Sequence, residues 1–203
     1  MPLTLVGSDI AKTFNRRRIF EKVSFRIGFG ETMLVTGRNG SGKSTLLRII
    51  CGVLSPTAGE VRLEGVPGER IQHLGLVAPY LQLFEEFTAA ENLRLASSIR
   101  GRIPDEQAVQ SLLGRIGLAH RRDEPVRGFS SGMKQRVKYA FALMHAPEVL
   151  LLDEPMANLD ADGIQFVRSV MADQHARGIL IVATNDMTDI GTFDVRIDLD
   201  EQR

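Results

Sequence analysis

The chain has 203 residues, and 25 Lys and Arg balance 25 Asp and Glu, so the formal net charge is zero. With 43% hydrophobic and 25% charged residues, the composition excludes wholesale disorder and argues against a protein that coats nucleic acid electrostatically. One cysteine, Cys51, excludes an internal disulfide framework, and no run approaches the ~18–20 apolar residues that span a bilayer.

The start, Met1-Pro2-Leu3-Thr4, lacks the basic-then-apolar order of a signal peptide, so the expectation is one compact, soluble, cytoplasmic unit. Residues 3–35 alternate in a strand-like way through Leu3, Leu5, Val23, Phe25, Ile27, Met33 and Val35, with Gly7, Asn15, Gly28 and Gly30 as turns. From Thr45 to Gly52 the residues Leu46, Leu47, Ile49 and Ile50 predict a short buried helix. Pro56–Gly59 reads as a turn, and Val61 and Leu63 then alternate with charged residues as in a strand. Between about 85 and 128 the chain is charged and helix-favouring, with Leu112, Leu113, Ile116 and Leu118 at helical spacing. This segment predicts a helical lobe inserted into a strand-rich chain. Two continuous apolar runs follow, Val149–Leu152 and Ile179–Ala183, as expected of parallel strands covered on both faces. An amphipathic helix carrying Ile164, Val167, Val170 and Met171 lies between them, and strand–helix–strand makes an α/β core.

Gly37-Arg38-Asn39-Gly40-Ser41-Gly42-Lys43-Ser44 fits G-x-x-x-x-G-K-[ST] without mismatch, after an apolar strand and before a helix. Glycines let backbone N–H groups converge on phosphate oxygens, and the helix N-terminus adds partial positive charge. Lys43 is placed to neutralise β- and γ-phosphates, and the Ser44 hydroxyl to ligate Mg²⁺. Asp153 and Glu154 stand at the C-terminal edge of the Val149 strand, the edge at which ligands bind in an open α/β sheet. Asp153 is assigned to the Mg²⁺ shell, and Glu154 to polarising the attacking water.

The phosphate loop, Phe129-Ser130-Ser131-Gly132-Met133, Asp153-Glu154 and Asn158-Leu159-Asp160 occur in that order. Together they resemble the ATP-binding subunit of ABC transporters, across almost the whole chain. The resemblance implies an α/β P-loop NTPase fold, a RecA-like core with an antiparallel β subdomain plus an inserted α-helical subdomain. The core lobe is placed at about 1–83 and 147–203, and the helical lobe at about 84–146. The implied cofactors are ATP and Mg²⁺, with Gly37, Asn39, Gly40, Ser41, Gly42, Lys43, Ser44 and Thr45 around the phosphates. The family's L-S-G-G-Q signature contacts the nucleotide of a second, facing subunit. Here Phe129, Ser131 and Met133 replace the Leu, first Gly and Gln, while Ser130 and Gly132 keep a hydroxyl and a close backbone approach. Ser130 is also placed to cap the helix that follows. Phe14 matches the aromatic that stacks on adenine, or is a core residue at a strand end. Asp160 resembles the residue that bridges the two sites of a dimer. Arg16–Arg18 reads as a solvated turn, and His73, His120, His145 and His175 show no metal-ligand spacing.

Two positions depart from the family's pattern. Asn185 stands where the family has a histidine that hydrogen-bonds the γ-phosphate. An amide can donate a hydrogen bond but carries no charge, so binding is expected to be kept and hydrolysis slowed. The family's Mg²⁺-contacting glutamine falls at Pro79, with Gln82 three residues later. Either the loop is re-registered so that Gln82 reaches the metal, or the contact is absent.

The resemblance implies a subunit that binds and hydrolyses ATP and energises a transporter through ATP-driven dimerisation. Its partners are a permease on a separate chain and a second ATP-binding subunit, alike or different, with no nucleic acid. Its place is the cytoplasmic face of the membrane, and its brevity resembles small exporter-type subunits, including the haem-exporter group. A weakly or non-hydrolysing regulatory nucleotide-binding subunit is the alternative; an ATPase of DNA or the ribosome is disfavoured by the lack of a heptad run and of a Cys cluster.

Overall fold

The computed structural model describes residues 2–157, 159–185 and 191–202. In chain order the strands are β1 (Thr4–Phe14), β2 (Arg17–Gly28), β3 (Thr32–Thr36), β4 (Ala58–Glu64), β5 (Leu74–Val77), β6 (Val149–Asp153), β7 (Ile179–Ala183) and β8 (Val195–Asp198). The α-helices are α1 (Lys43–Cys51), α2 (Ala89–Ser98), α3 (Glu106–Arg115), α4 (Ser131–Leu143) and α5 (Ala161–Arg177).

Two sheets share one core. The first is antiparallel, with order β2-β1-β4, and the second is parallel, with order β5-β6-β7-β3-β8. The apolar runs in β6 and β7 follow from burial on both faces, because every residue of both strands is buried. Alternate residues divide between the two sides. Val149, Leu151, Ile179 and Ile181 join Leu46, Leu47 and Ile50 of α1 and the apolar face of the antiparallel sheet. Leu150, Leu152, Leu180 and Val182 face Tyr139 and Leu143 of α4 and Val167, Val170 and Met171 of α5.

The charged middle of the chain folds as α2, α3 and α4 around a separate apolar cluster containing Leu93, Val109, Leu113, Val126 and Val137. Thr88 opens α2 with a capping box: its side chain accepts from the Glu91 N–H, and the Glu91 carboxylate accepts from the Thr88 N–H. Asn92, fully buried, donates to the carbonyls of Phe84 and Thr88 at 3.0 Å each and accepts from the Phe84 N–H at 3.0 Å. These bonds pin the segment that enters the helical region.

Several boundaries differ from the periodicity. Helix α1 begins at Lys43, two residues before the expected Thr45, and α4 begins at Ser131. Each first turn is polar and set by the residue before it, so the apolar stripe starts late. Strand β4 begins at Ala58, inside the expected turn, because Ala58 pairs with Ala11 of β1. Strands β5 and β8 have four residues each, too few for a pattern to stand out.

Candidate functional site

The order of the parallel sheet assembles the site. Strand β7 lies between β3 and β6, so the C-terminal ends of all three are neighbours. The phosphate loop leaves β3, the Asp153-Glu154 pair closes β6, and Asn185 follows β7.

Gly42 is the residue before α1 and has a left-handed backbone, with φ 108°. A Cβ there would lie 2.5 Å from the Ile19 side chain, so both conformation and space demand glycine. No side chain caps α1, which leaves its first N–H groups for a ligand. Arg38 fixes the other end of the loop, its N–H and guanidinium bonding Asp200 at 2.9 and 3.1 Å. A cavity of about 300 Å³ lies above the loop, lined by Ile19, Asn39, Gly40, Gly42, Lys43, Ser44, Thr45 and Glu154. Ser41 is fully buried beneath it.

Lys43 is buried, and its ammonium donates to the Gly37 carbonyl at 2.8 Å and to Asn185 Oδ1. The Glu154 carboxylate lies 3.5 Å from the same ammonium. Glu154 has a left-handed backbone, with φ 47°, uncommon for a side chain other than glycine. Neighbouring strands hold it there. Its N–H donates to the Ala183 carbonyl at 2.8 Å, and its Oε2 accepts from the Thr184 hydroxyl at 3.0 Å. Strained backbone of this kind concentrates at functional sites.

Asp153 is buried, and neither of its carboxylate oxygens has a hydrogen-bond partner. Burial pushes its pKa up, with the Glu154 charge adding to it; the neighbouring Ser44 hydroxyl, not placed for a full hydrogen bond, pulls the other way, as do Lys43 and Arg48. An orphaned buried carboxylate is costly unless something compensates it. Two oxygens aimed beside a hydroxyl form a donor set suited to a hard divalent cation.

The remaining expected residues fall into other places. Ser130 is the N-cap of α4, its side chain accepting from the Met133 N–H at 3.3 Å, and Asp160 caps α5 by accepting from the Gly163 N–H at 2.8 Å. Ser130, Gly132 and Asp160 line a second cavity of about 260 Å³, distinct from the one above the phosphate loop. Gln82 is absent from the lining of the phosphate-loop cavity; with Pro79, Gly132 and Glu154 it lines a wider cleft of about 610 Å³. Phe14 ends β1 about half exposed, with the Lys12 ammonium 4.8 Å from its ring centre. Asn158, named in the motifs above, lies outside the described residues.

Sequence reasoning missed Thr184, Asp200 and the pair Arg48–Tyr80, whose guanidinium carbon sits 3.9 Å from the ring centre. None belongs to a local motif. The Arg38–Asp200 bond, for example, spans 162 positions, so no spacing rule would find it.

Comparison with known proteins agrees with this geometry. A profile of the family described as ABC transporter matches residues 20–157. The cytochrome c biogenesis ATP-binding export protein CcmA of Pseudomonas aeruginosa is 35% identical over 186 residues, covering 89% of this chain and 92% of that protein. The lantibiotic transport ATP-binding protein SrtF of Streptococcus pyogenes is 31% identical over 179 residues, covering 87% and 77%. A solved ATP-binding subunit of an ABC transporter superposes with a TM-score of 0.80 at 29% identity, over 89% of this chain and 79% of that one. The chain belongs to the ABC transporter family, with the P-loop ATPase fold of its ATP-binding, transport-energising subunits.

Proposed function

We propose that the chain binds ATP and Mg²⁺ at the cavity above Gly37–Thr45 and hydrolyses the nucleotide with Glu154. The observation that carries this is the meeting of Lys43, Glu154 and the orphaned Asp153 beside an uncapped helix N-terminus. Lys43 and the first N–H groups of α1 neutralise and seat the phosphates. Asp153 and Ser44 hold Mg²⁺, which when bound supplies charge neutralisation on the phosphates. Glu154, anchored by Thr184 and the Ala183 carbonyl, orients the attacking water and accepts its proton. Phe14 supplies the adenine contact. Hydrolysis is slow, because the neutral amide of Asn185 stands where the family has histidine.

The cavity containing Ser130, Gly132 and Asp160 is separate from the phosphate loop within one chain. That separation supports a site completed by a second ATP-binding subunit, alike or different, with Ser130 reaching the facing nucleotide. It also fits a division into a core lobe, about 1–83 and 147–203, and a helical lobe, about 84–146. Among the described residues no helix is long and apolar enough to cross a membrane. A permease on another chain, docked beside residues 79–87, supplies the membrane part and holds this subunit on the cytoplasmic face. Relatives named as export and transport proteins support that assignment.

The test is ATP hydrolysis by the purified protein with and without Mg²⁺, beside Lys43→Ala. Mg²⁺-dependent turnover lost in Lys43→Ala is expected. ATP binding without turnover would favour the regulatory alternative, which the neutral Asn185 already points toward.

A further inference from the structure

Asn185 uses both ends of its amide within the protein. Its Oδ1 accepts from the Lys43 ammonium, and its Nδ2 donates to Asn39 Oδ1. Which end faces which partner is forced by chemistry. A lysine ammonium has three donors and no acceptor, so only the Asn185 oxygen can face it. The Asn185 NH₂ is then turned to Asn39, and the atom of Asn39 that receives it must be Oδ1. Asn39 therefore keeps its own NH₂ uncommitted to Asn185, and its side chain lines the cavity above the phosphate loop. The directions run in one sense from Lys43 through Asn185 to Asn39.

This differs from the role a γ-phosphate ligand would play. The Asn185 oxygen and one of its two amide protons are thus spent inside the protein. We propose that Asn185 is a positioning residue that clasps Lys43 and Asn39 together and orients the Asn39 NH₂ as an additional phosphate donor. The clasp joins the strand after the catalytic carboxylate to the phosphate loop, across 142 positions to Lys43 and 146 to Asn39. Lys43 is held at the same time by the Gly37 carbonyl, so the ammonium is set before any nucleotide arrives. The inference rests on the nucleotide site proposed above and adds Asn39 and Asn185 to it as one coupled unit.

A double-mutant cycle on ATP binding tests the clasp. ATP affinity is measured by titration calorimetry in EDTA, without Mg²⁺, for the unmutated chain, Asn39→Ala, Asn185→Ala and the double variant. Each single change is expected to weaken binding about five- to tenfold, as for loss of one charge-assisted hydrogen bond. The double variant is expected to be no weaker than the weaker single variant, because either change alone breaks the unit. Asn39 and Asn185 are both exposed, so the variants retain the fold, and Asn39→Ser with Asn185→Ser gives a second cycle with smaller side-chain loss. Binding by the unmutated chain with losses that multiply in the double variant would overturn the clasp while leaving the proposed function standing. Failure of the unmutated chain to bind ATP would overturn the proposed function, and the clasp with it.

Discussion

The Lys43 ammonium and the Glu154 carboxylate lie 3.5 Å apart at the edge of the parallel sheet, Lys43 almost wholly buried and Glu154 about one third exposed. The lysine is thus held beside the carboxylate proposed to act on water, and the two charges steady one another. In the proposed reaction, arriving phosphates would compete with Glu154 for the ammonium and leave the carboxylate free to turn to water. Glu154→Gln keeps the shape and removes the base. Turnover is expected to fall by about 10²-fold or more while ATP affinity is kept or rises. Single-turnover hydrolysis together with ATP titration checks this, and an unchanged rate would remove Glu154 from the reaction.

Asn185→His places an ionisable ring where the resemblance puts the family's histidine. A donor able to carry positive charge stabilises charge developing on the transferred phosphoryl group better than an amide does. Turnover is expected to rise on the order of tenfold, equivalent to about 1.4 kcal/mol. An unchanged or lower rate would show that the amide is not what limits hydrolysis.

Asn92 ties the segment before α2 to that helix through three hydrogen bonds at 3.0 Å, with no exposure to solvent. Asn92→Ala leaves the Phe84 N–H and two carbonyls without this partner. A loss of about 2–3 kcal/mol in unfolding free energy is expected from urea titration. A loss within about 0.5 kcal/mol would mean that water replaces the amide freely.

His145 is buried, and burial, with Arg100 and Arg102 nearby, pushes its pKa down to about 3, against the opposing hydrogen bond to the Leu74 carbonyl. An exposed histidine titrates near 6.5. Between those values the unfolded chain takes up a proton that the folded chain refuses. Acidification below pH 6.5 therefore drains stability, at up to about 1.4 kcal/mol per pH unit, and the effect saturates near pH 3. In His145→Gln the curve of unfolding free energy against pH is expected to be flatter from pH 6.5 downward. Equal slopes in both proteins would assign the acid sensitivity to other groups.

The elements legible in the sequence were those whose physics is local. The phosphate loop is a contiguous string of glycines ending in Lys43 and Ser44. Ser130 caps its helix within three residues of itself. The runs in β6 and β7 announced two-sided burial. Tertiary structure decided what these pieces do together. Placing β7 between β3 and β6 brings Lys43 to Glu154, Thr184 to Glu154, and Asn185 to both Lys43 and Asn39. At the same edge Asp153 lies buried without a hydrogen-bond partner and Glu154 has a left-handed backbone. The pairings of β3 with β7 and β8 join segments more than a hundred residues apart. Spacing along the chain carries no record of them.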